Sequence, residues 1–447
     1  MTHNDTAHSG AQKRAAAINR IQNLAILLLT FSALLMVLNV PLFGALSDLS
    51  LFELLSERLR PEALLPAQEQ RVSAAPVAPV RVVMSNGFER TGADVLTTYS
   101  DLFERSGALL GEAVGSAYGR ISVGRYAFLS ALSSPGLYFD FNTDLPVPFV
   151  CALLGVDAPD SALPSMRRLL LCCPEGMQNA LLFTEGGGSY SRFNTAVSAQ
   201  TLLSFLETPE GERVSFAADL GAKATDLSPL TLAPERTSAA AEVAAANPLS
   251  ESGVNALLSA AEFSTHLDNR FTESSGVVIV REVNSTLHLH PDGTVTCQGT
   301  QADPQSVFFV PSAEPGSPTL YESASAAQSL LLALTRDLSG DALLCLSGAE
   351  ETDGGASFTF DYYLDGVPVR FADGAHAAVA TVQGQSIVSF SLRARRYELP
   401  DDAQPALLLP LPQAAAVAAG RGYRSCELRV AYLDSLGDSA PASWVAE

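Results

Sequence analysis

The sequence predicts an α+β protein with a single N-terminal transmembrane helix followed by a two-domain ectodomain of antiparallel sheets with packed helices. Three observations carry that reading. One uncharged apolar run stands near the start of the 447 residues. Short β-branched and aromatic segments follow, bounded by Gly and Pro. Between them lie stretches with apolar residues at helical spacing, in a helix-then-strands order and not in strict alternation.

Residues 24–43 give a continuous stretch without a charge, and a hydrocarbon core of ~30 Å needs roughly 20 helical residues to cross. Lys13, Arg14 and Arg20 precede the run, while Asp48, Glu53 and Glu57 follow it. Basic residues on the N-terminal flank hold that end in the cytoplasm, so the rest of the chain is exported. A cleaved signal peptide is the rival reading. Its apolar region is usually shorter and ends in a small-x-small site, to which residues 41–45 are a poor match. The expectation is an uncleaved, single-pass anchor in the cell membrane, with a tail at 1–20 and a span at 21–44.

Residues 1–44 set Lys13, Arg14 and Arg20 against Asp5, a net +2, so the remainder carries −23 of the overall −21. Such acidity keeps a domain soluble and disfavours nucleic acid or anionic lipid as a partner. Six cysteines occur, at 151, 172, 173, 297, 345 and 426. An even count outside the membrane permits disulfides. Most of these residues sit inside apolar runs, where a free thiol behaves as a small buried hydrophobe.

Past the membrane, Ser50-x-x-Glu53 resembles a capping box opening a short amphipathic helix that Pro61 stops. Four prolines at 61–80 make a stiff spacer, completing a juxtamembrane segment at 45–80. A first α+β domain spans 81–230, with strands expected at 81–85, 137–141, 168–173, 179–184 and 189–196. Helices are expected within 92–117 and at 124–132, 146–154 and 198–206. Ala, Ser and Pro dominate 231–250, which reads as a linker. A second α+β domain, 251–447, opens with a helix to Ala261 and strands at 277–280 and 286–290. A helix at 328–338, strands at 342–346, 357–364, 377–382 and 387–397, a helix at 412–419 and a strand at 427–433 follow. Its two helix-plus-hairpin units look like an internal duplication.

The motifs of serine hydrolases, phosphate-binding loops and zinc proteases are absent. Gly186-Gly187-Gly188-Ser189 offers backbone N–H groups to an anion, but between two strands it reads as a hairpin loop. His288 and His290 share one face of a strand, where two imidazoles can meet a metal, yet no third ligand is evident. Asp361, and Asp401 with Asp402, read as solvated carboxylates. No catalytic, cofactor-binding or metal-binding residue is therefore assigned, no cofactor is expected, and the chain reads as one that contacts other proteins.

The arrangement resembles the YycH and YycI family, membrane-anchored regulators of the essential WalK (YycG) cell-wall histidine kinase. The resemblance rests on 126–129, the break at 133–136, then 137–141 and 146–149 in the first domain. In the second it rests on 271–273, 278–280, Leu287, 291–295, 358–363, 365–369, 408–419 and the late Tyr432, Ala442 and Trp444. It implies a non-enzymatic regulator whose transmembrane helix and ectodomain contact a sensor histidine kinase, with a paralogous regulator as a further partner. Helix contacts in lipid favour small residues, which makes Ala25, Ser32 and Ala33, with Thr30 and Asn39 as polar contacts and Gly44 at the outer end, the partner-contact candidates. The alternative is an extracytoplasmic binding module for a cell-wall fragment, peptide or envelope protein, using sheet edges in the strand–turn–strand unit at 357–397.

Overall fold

The computed structural model describes residues 80–94, 102–158, 165–208, 211–234, 239–266, 269–300, 302–313, 318–400 and 402–447. All fall in one unit, Ala67–Glu447. The other unit, Met1–Pro66, lies outside the described residues, and with it the predicted tail and membrane span. Among the described residues no helix is long and apolar enough to cross a membrane.

The first sheet begins with the hairpin β1 (Arg81–Ser85) and β2 (Arg90–Asp94). Helix α1 (Leu102–Gly115), strand β3 (Tyr118–Val123), helix α2 (Arg125–Ala131) and strand β4 (Gly136–Leu145) follow. Helix α3 (Val147–Leu154) starts with Pro148 in its first turn, where a missing N–H costs nothing, and closes on Gly155 at φ 65°. It leads into a meander of β5 (Met166–Cys172), β6 (Asn179–Gly186) and β7 (Ser189–Ser198). Gly187 and Gly188 join β6 to β7 with φ of 56° and 74°, the pair of positive angles that a type I′ turn demands. Helix α4 (Ala199–Phe205), β8 (Glu212–Phe216) and β9 (Leu232–Pro234) complete the layer. The spatial order is β3-β7-β6-β5-β4-β1-β2-β8-β9, and the pairings are antiparallel.

Alternation along these strands divides their side chains between two cores. Val82, Leu137, Phe139, Leu169 and Leu171 pack with Leu110 of α1 and Phe149 of α3. Val83, Tyr138, Leu170 and Phe183 pack with Phe128 of α2 in the second cluster. With both faces covered, β4 to β6 read as near-continuous apolar runs.

The second sheet opens with β10 (Glu242–Ala246), followed by helix α5 (Glu251–Ala260). Strands β11 (Arg270–Thr272), β12 (Val278–Arg281), β13 (Ser285–Leu289) and β14 (Thr294–Gly299) form a meander. After helix α6 (Leu320–Thr335) come β15 (Leu343–Thr352), β16 (Gly355–Leu364) and β17 (Val367–Phe371). Next are β18 (Ala378–Gln383), β19 (Ser386–Arg393) and β20 (Arg396–Glu398). Helix α7 (Leu411–Gly420) precedes β21 (Leu428–Asp434) and β22 (Ser439–Ala446). The order is β11-β12-β13-β14-β19-β18-β16-β17-β21-β22-β10-β20, with β15 also paired to β16.

The expectation of purely antiparallel sheets is corrected at one place. β17 pairs β21 in parallel, as the long connection through α7 allows. The stretch 231–250, read from composition as a linker, carries β9 and β10. Helix α6 starts well before the expected 328, because Thr319 and Glu322 form a capping box that bonds both ways across the first turn. One continuous buried cluster reaches from Val82 on β1 to Ala440 on β22, so the two sheets share a core.

Candidate functional site

Where the sheets meet, charged side chains replace apolar ones. Along β16, Phe358, Phe360 and Tyr362 point into the shared core, so Asp361 and Tyr363 face the other way. That side is not solvent: Asp361 is only 4% exposed. Burial alone would raise its pKa, but a hydrogen bond with His376 Nδ1 at 3.0 Å and the Arg370 guanidinium at 2.9 Å outweigh it, and the carboxyl titrates below its usual range. The same bond to Asp361 raises the pKa of His376 against the opposing effect of burial. Arg370 comes from β17, brought opposite β16 by the Asp365-Gly366 turn, and its Nε and Nη2 donate to Glu447 Oε1 at 2.9 and 2.6 Å.

The first sheet supplies the opposing wall. Between Asp140 and Leu145 the register of β4 against β5 shifts, and Asn142 sits there at φ 66°. Arg429 of β21 donates to its Oδ1 at 2.8 Å and stacks over the Tyr363 ring at 5.4 Å. On β5, Arg167 donates to Glu427 at 2.9 Å, while Arg168 donates to Glu185 at 2.9 Å and also to Glu427. Asp140 lies 3.8 and 4.0 Å from the two guanidinium groups. Burial pushes against its charge, yet Arg168 and then Arg167 hold its pKa down. For Glu185 the balance reverses, and burial pushes its carboxyl up despite Arg168.

A cleft of about 310 Å³ opens onto this seam, lined by Asn142, Arg167, Ser347, Asp361, Arg370 and His376. An imidazole, a hydroxyl and a carboxylate together invite comparison with a hydrolytic triad. That chemistry needs the histidine between the hydroxyl and the acid. Here Asp361 holds the imidazole at Nδ1, while the Ser347 hydroxyl donates to Thr359 Oγ1 at 3.4 Å and not to the histidine. Cys345 lies opposite Asp361 in the ladder, and burial pushes its thiol up to about 12, far from the thiolate a nucleophile needs. The cations lining the cleft are already matched by internal carboxylates. The arrangement joins the two sheets through buried ion pairs and hydrogen bonds.

The chain superimposes on the crystal structure of YycH from Bacillus subtilis over 83% of its own length and 93% of that chain, with a TM-score of 0.53 and 12% identity. The fold is that of YycH. No protein-family model matches the sequence, and no curated protein matches it.

In this YycH-type fold the segments that carried the resemblance take definite places. Residues 126–129 lie on α2, 137–141 on β4, and 358–363 on β16 before the turn into β17. The late Ala442 and Trp444 lie on β22, a strand that periodicity alone did not reveal. Ala25, Thr30, Ser32, Ala33, Asn39 and Gly44 lie outside the described residues. The Gly186–Ser189 turn is a hairpin, and its Gly187 N–H is already taken by Asp144 Oδ1 at 2.9 Å. His288 and His290 alternate with buried Leu287 and Leu289 as expected, and among the described residues no group of three or more metal-ligating side chains occurs. The six thiols are free, five of them buried.

Two expectations are corrected. Asp361 is not a solvated surface carboxylate, because the second face of β16 is closed by the seam. The unit at 357–397 offers no sheet edge along its long strands, since β16, β18 and β19 each have strand neighbours on both sides. Sequence reasoning also missed Arg167, Arg168, His376 and Arg429. The available signal was the pair of arginines opening the apolar run of β5, which places charge at the start of a buried strand.

Proposed function

We propose that this chain is a non-enzymatic, membrane-anchored regulator of a two-component sensor histidine kinase controlling cell-wall metabolism. It works through contacts of a transmembrane helix at 21–44 and of the extracytoplasmic domain. The observation that carries the reading is the likeness to YycH across nearly the whole of that chain. The apolar run with a basic N-terminal flank supports the anchor and its orientation. The non-enzymatic reading is supported by the seam, where His376 is bonded to Asp361 and the Ser347 hydroxyl to Thr359, which is not the order a hydrolytic triad needs. A regulator of this kind acts by binding two states of its partner unequally. Replacing 21–44 with an unrelated leucine-rich helix is expected to abolish kinase regulation while circular dichroism shows the folded domain intact. Unchanged signalling from that chimera would refute contact through the membrane.

A further inference from the structure

From Ser323 to Thr335 helix α6 carries no charged residue, the pattern of a helix covered on every side. Ala324, Ala327, Leu331 and Leu334 are buried in the shared core. The opposite side, at Ser325, Ser329 and Ala333, faces a groove whose other wall is Val307, Phe309 and Pro311. The groove holds about 570 Å³, inside the roughly 300–1,000 Å³ range of small-ligand sites. Its serines add little polarity. Ser325 and Ser329 donate their hydroxyls to the carbonyls of Tyr321 and Ser325, both at 2.8 Å.

Dimensions decide what fits. From Tyr321 to Ala333 the helix rises roughly 18 Å, which leaves the groove a width on the order of 6 Å. A partner helix, at about 10–12 Å with its side chains, is too wide. An extended peptide is narrow enough, but its carbonyls would find no donor among hydroxyls already spent within α6. Charge narrows the choice further. Among the described residues that line the groove, only Glu322 is charged. Its carboxylate already accepts from the N–H groups of Ala313 at 2.9 Å and Thr319 at 2.7 Å, which hold its pKa below the usual range. It needs no cation, and it repels an anion. We propose that this groove binds the aliphatic chain of an uncharged single-chain lipid with a hydroxyl head, taken up as a monomer. The proposal goes beyond the regulator reading, and its test involves no kinase, so the two can fail separately.

Photolabelling of the full chain in nanodiscs tests it, with a diazirine-bearing dodecanol added from solution and the labelled sites mapped by mass spectrometry. Labels are expected within 307–313 and 321–333. Unlabelled dodecanol should compete at least about tenfold better than dodecanoate. Ser329→Leu, at an exposed position where leucine suits a helix, should fill the groove and cut labelling at least about tenfold. Ala333→Leu, one turn on, should act alike, whereas Ser329→Ala should label as the native chain does. Circular dichroism should show all three variants folded. Labels elsewhere on the domain, labelling indifferent to both leucine substitutions, or equal competition by dodecanoate would overturn the proposal. So would labelling of the same segments by a photoreactive phospholipid of the nanodisc, or displacement of the alcohol by an amphipathic helical peptide.

Discussion

Arg429 on β21 donates to Asn142 on β4 across the seam, joining residues that are 287 positions apart in the chain. Asn142 is held there in the left-handed region, at φ 66°. Replacing Arg429 with Met keeps the bulk and removes a charged hydrogen bond, so a loss of about 1.5–3 kcal/mol is expected. Urea denaturation of the two proteins measures it, with an unchanged slope showing that compactness is preserved.

Asp434 has no exposed surface, and it accepts from Arg395 at 2.9 and 3.1 Å and from Tyr397 at 2.7 Å. Asp434→Ala leaves the Arg395 charge buried without its partner, and the expected cost is ~3–5 kcal/mol. Asp434→Ala combined with Arg395→Met should be more stable than Asp434→Ala alone. A thermal melt in which the double variant is the less stable would contradict this account of the pair.

Protonation at the seam should shape stability. His376 has a raised pKa in the folded protein, so its contribution is complete below the unfolded value of about 6.5 and fades as pH rises through the folded value. Asp361 has a lowered one, so its contribution is complete above about pH 4 and fades as pH falls through the folded value. The pair is strongest in the window between. Melting temperatures measured at rising pH above about 6.5 should fall for the native chain and fall less for His376→Gln.

Burial pushes the Cys172, Cys297 and Cys345 thiols up to about 12. Under native conditions near neutral pH these thiols should resist iodoacetamide, since only the thiolate attacks. Unfolding in urea should expose all six. Mass spectrometry that finds rapid labelling of Cys297 in the folded protein would contradict its burial.

Much of the fold was legible because local rules suffice for it. The strand at 81–85 and the helices near 124–132 and 146–154 are set by apolar runs and by Pro and Gly at their ends. Strand β22 was missed because Ser, Ala and Pro give it little β-propensity; its place is fixed by neighbours β21 and β10. The seam was illegible for a related reason. Asp361 reads as an ordinary surface acid until Arg370, His376 and the first sheet close over it, and those contacts depend on tertiary packing. Arg168 and Glu427 lie 259 residues apart, a distance no periodicity spans.

The insertion of β22 between β21 and β10 has a consequence for synthesis. β10 leaves the ribosome with β20 still to come and with its other lateral partner only at 439. At ordinary elongation rates that interval lasts roughly 10–40 s. During it the nascent second sheet carries an open flank, a natural target for chaperones and for mispairing, and β22 works as the clasp that shuts it.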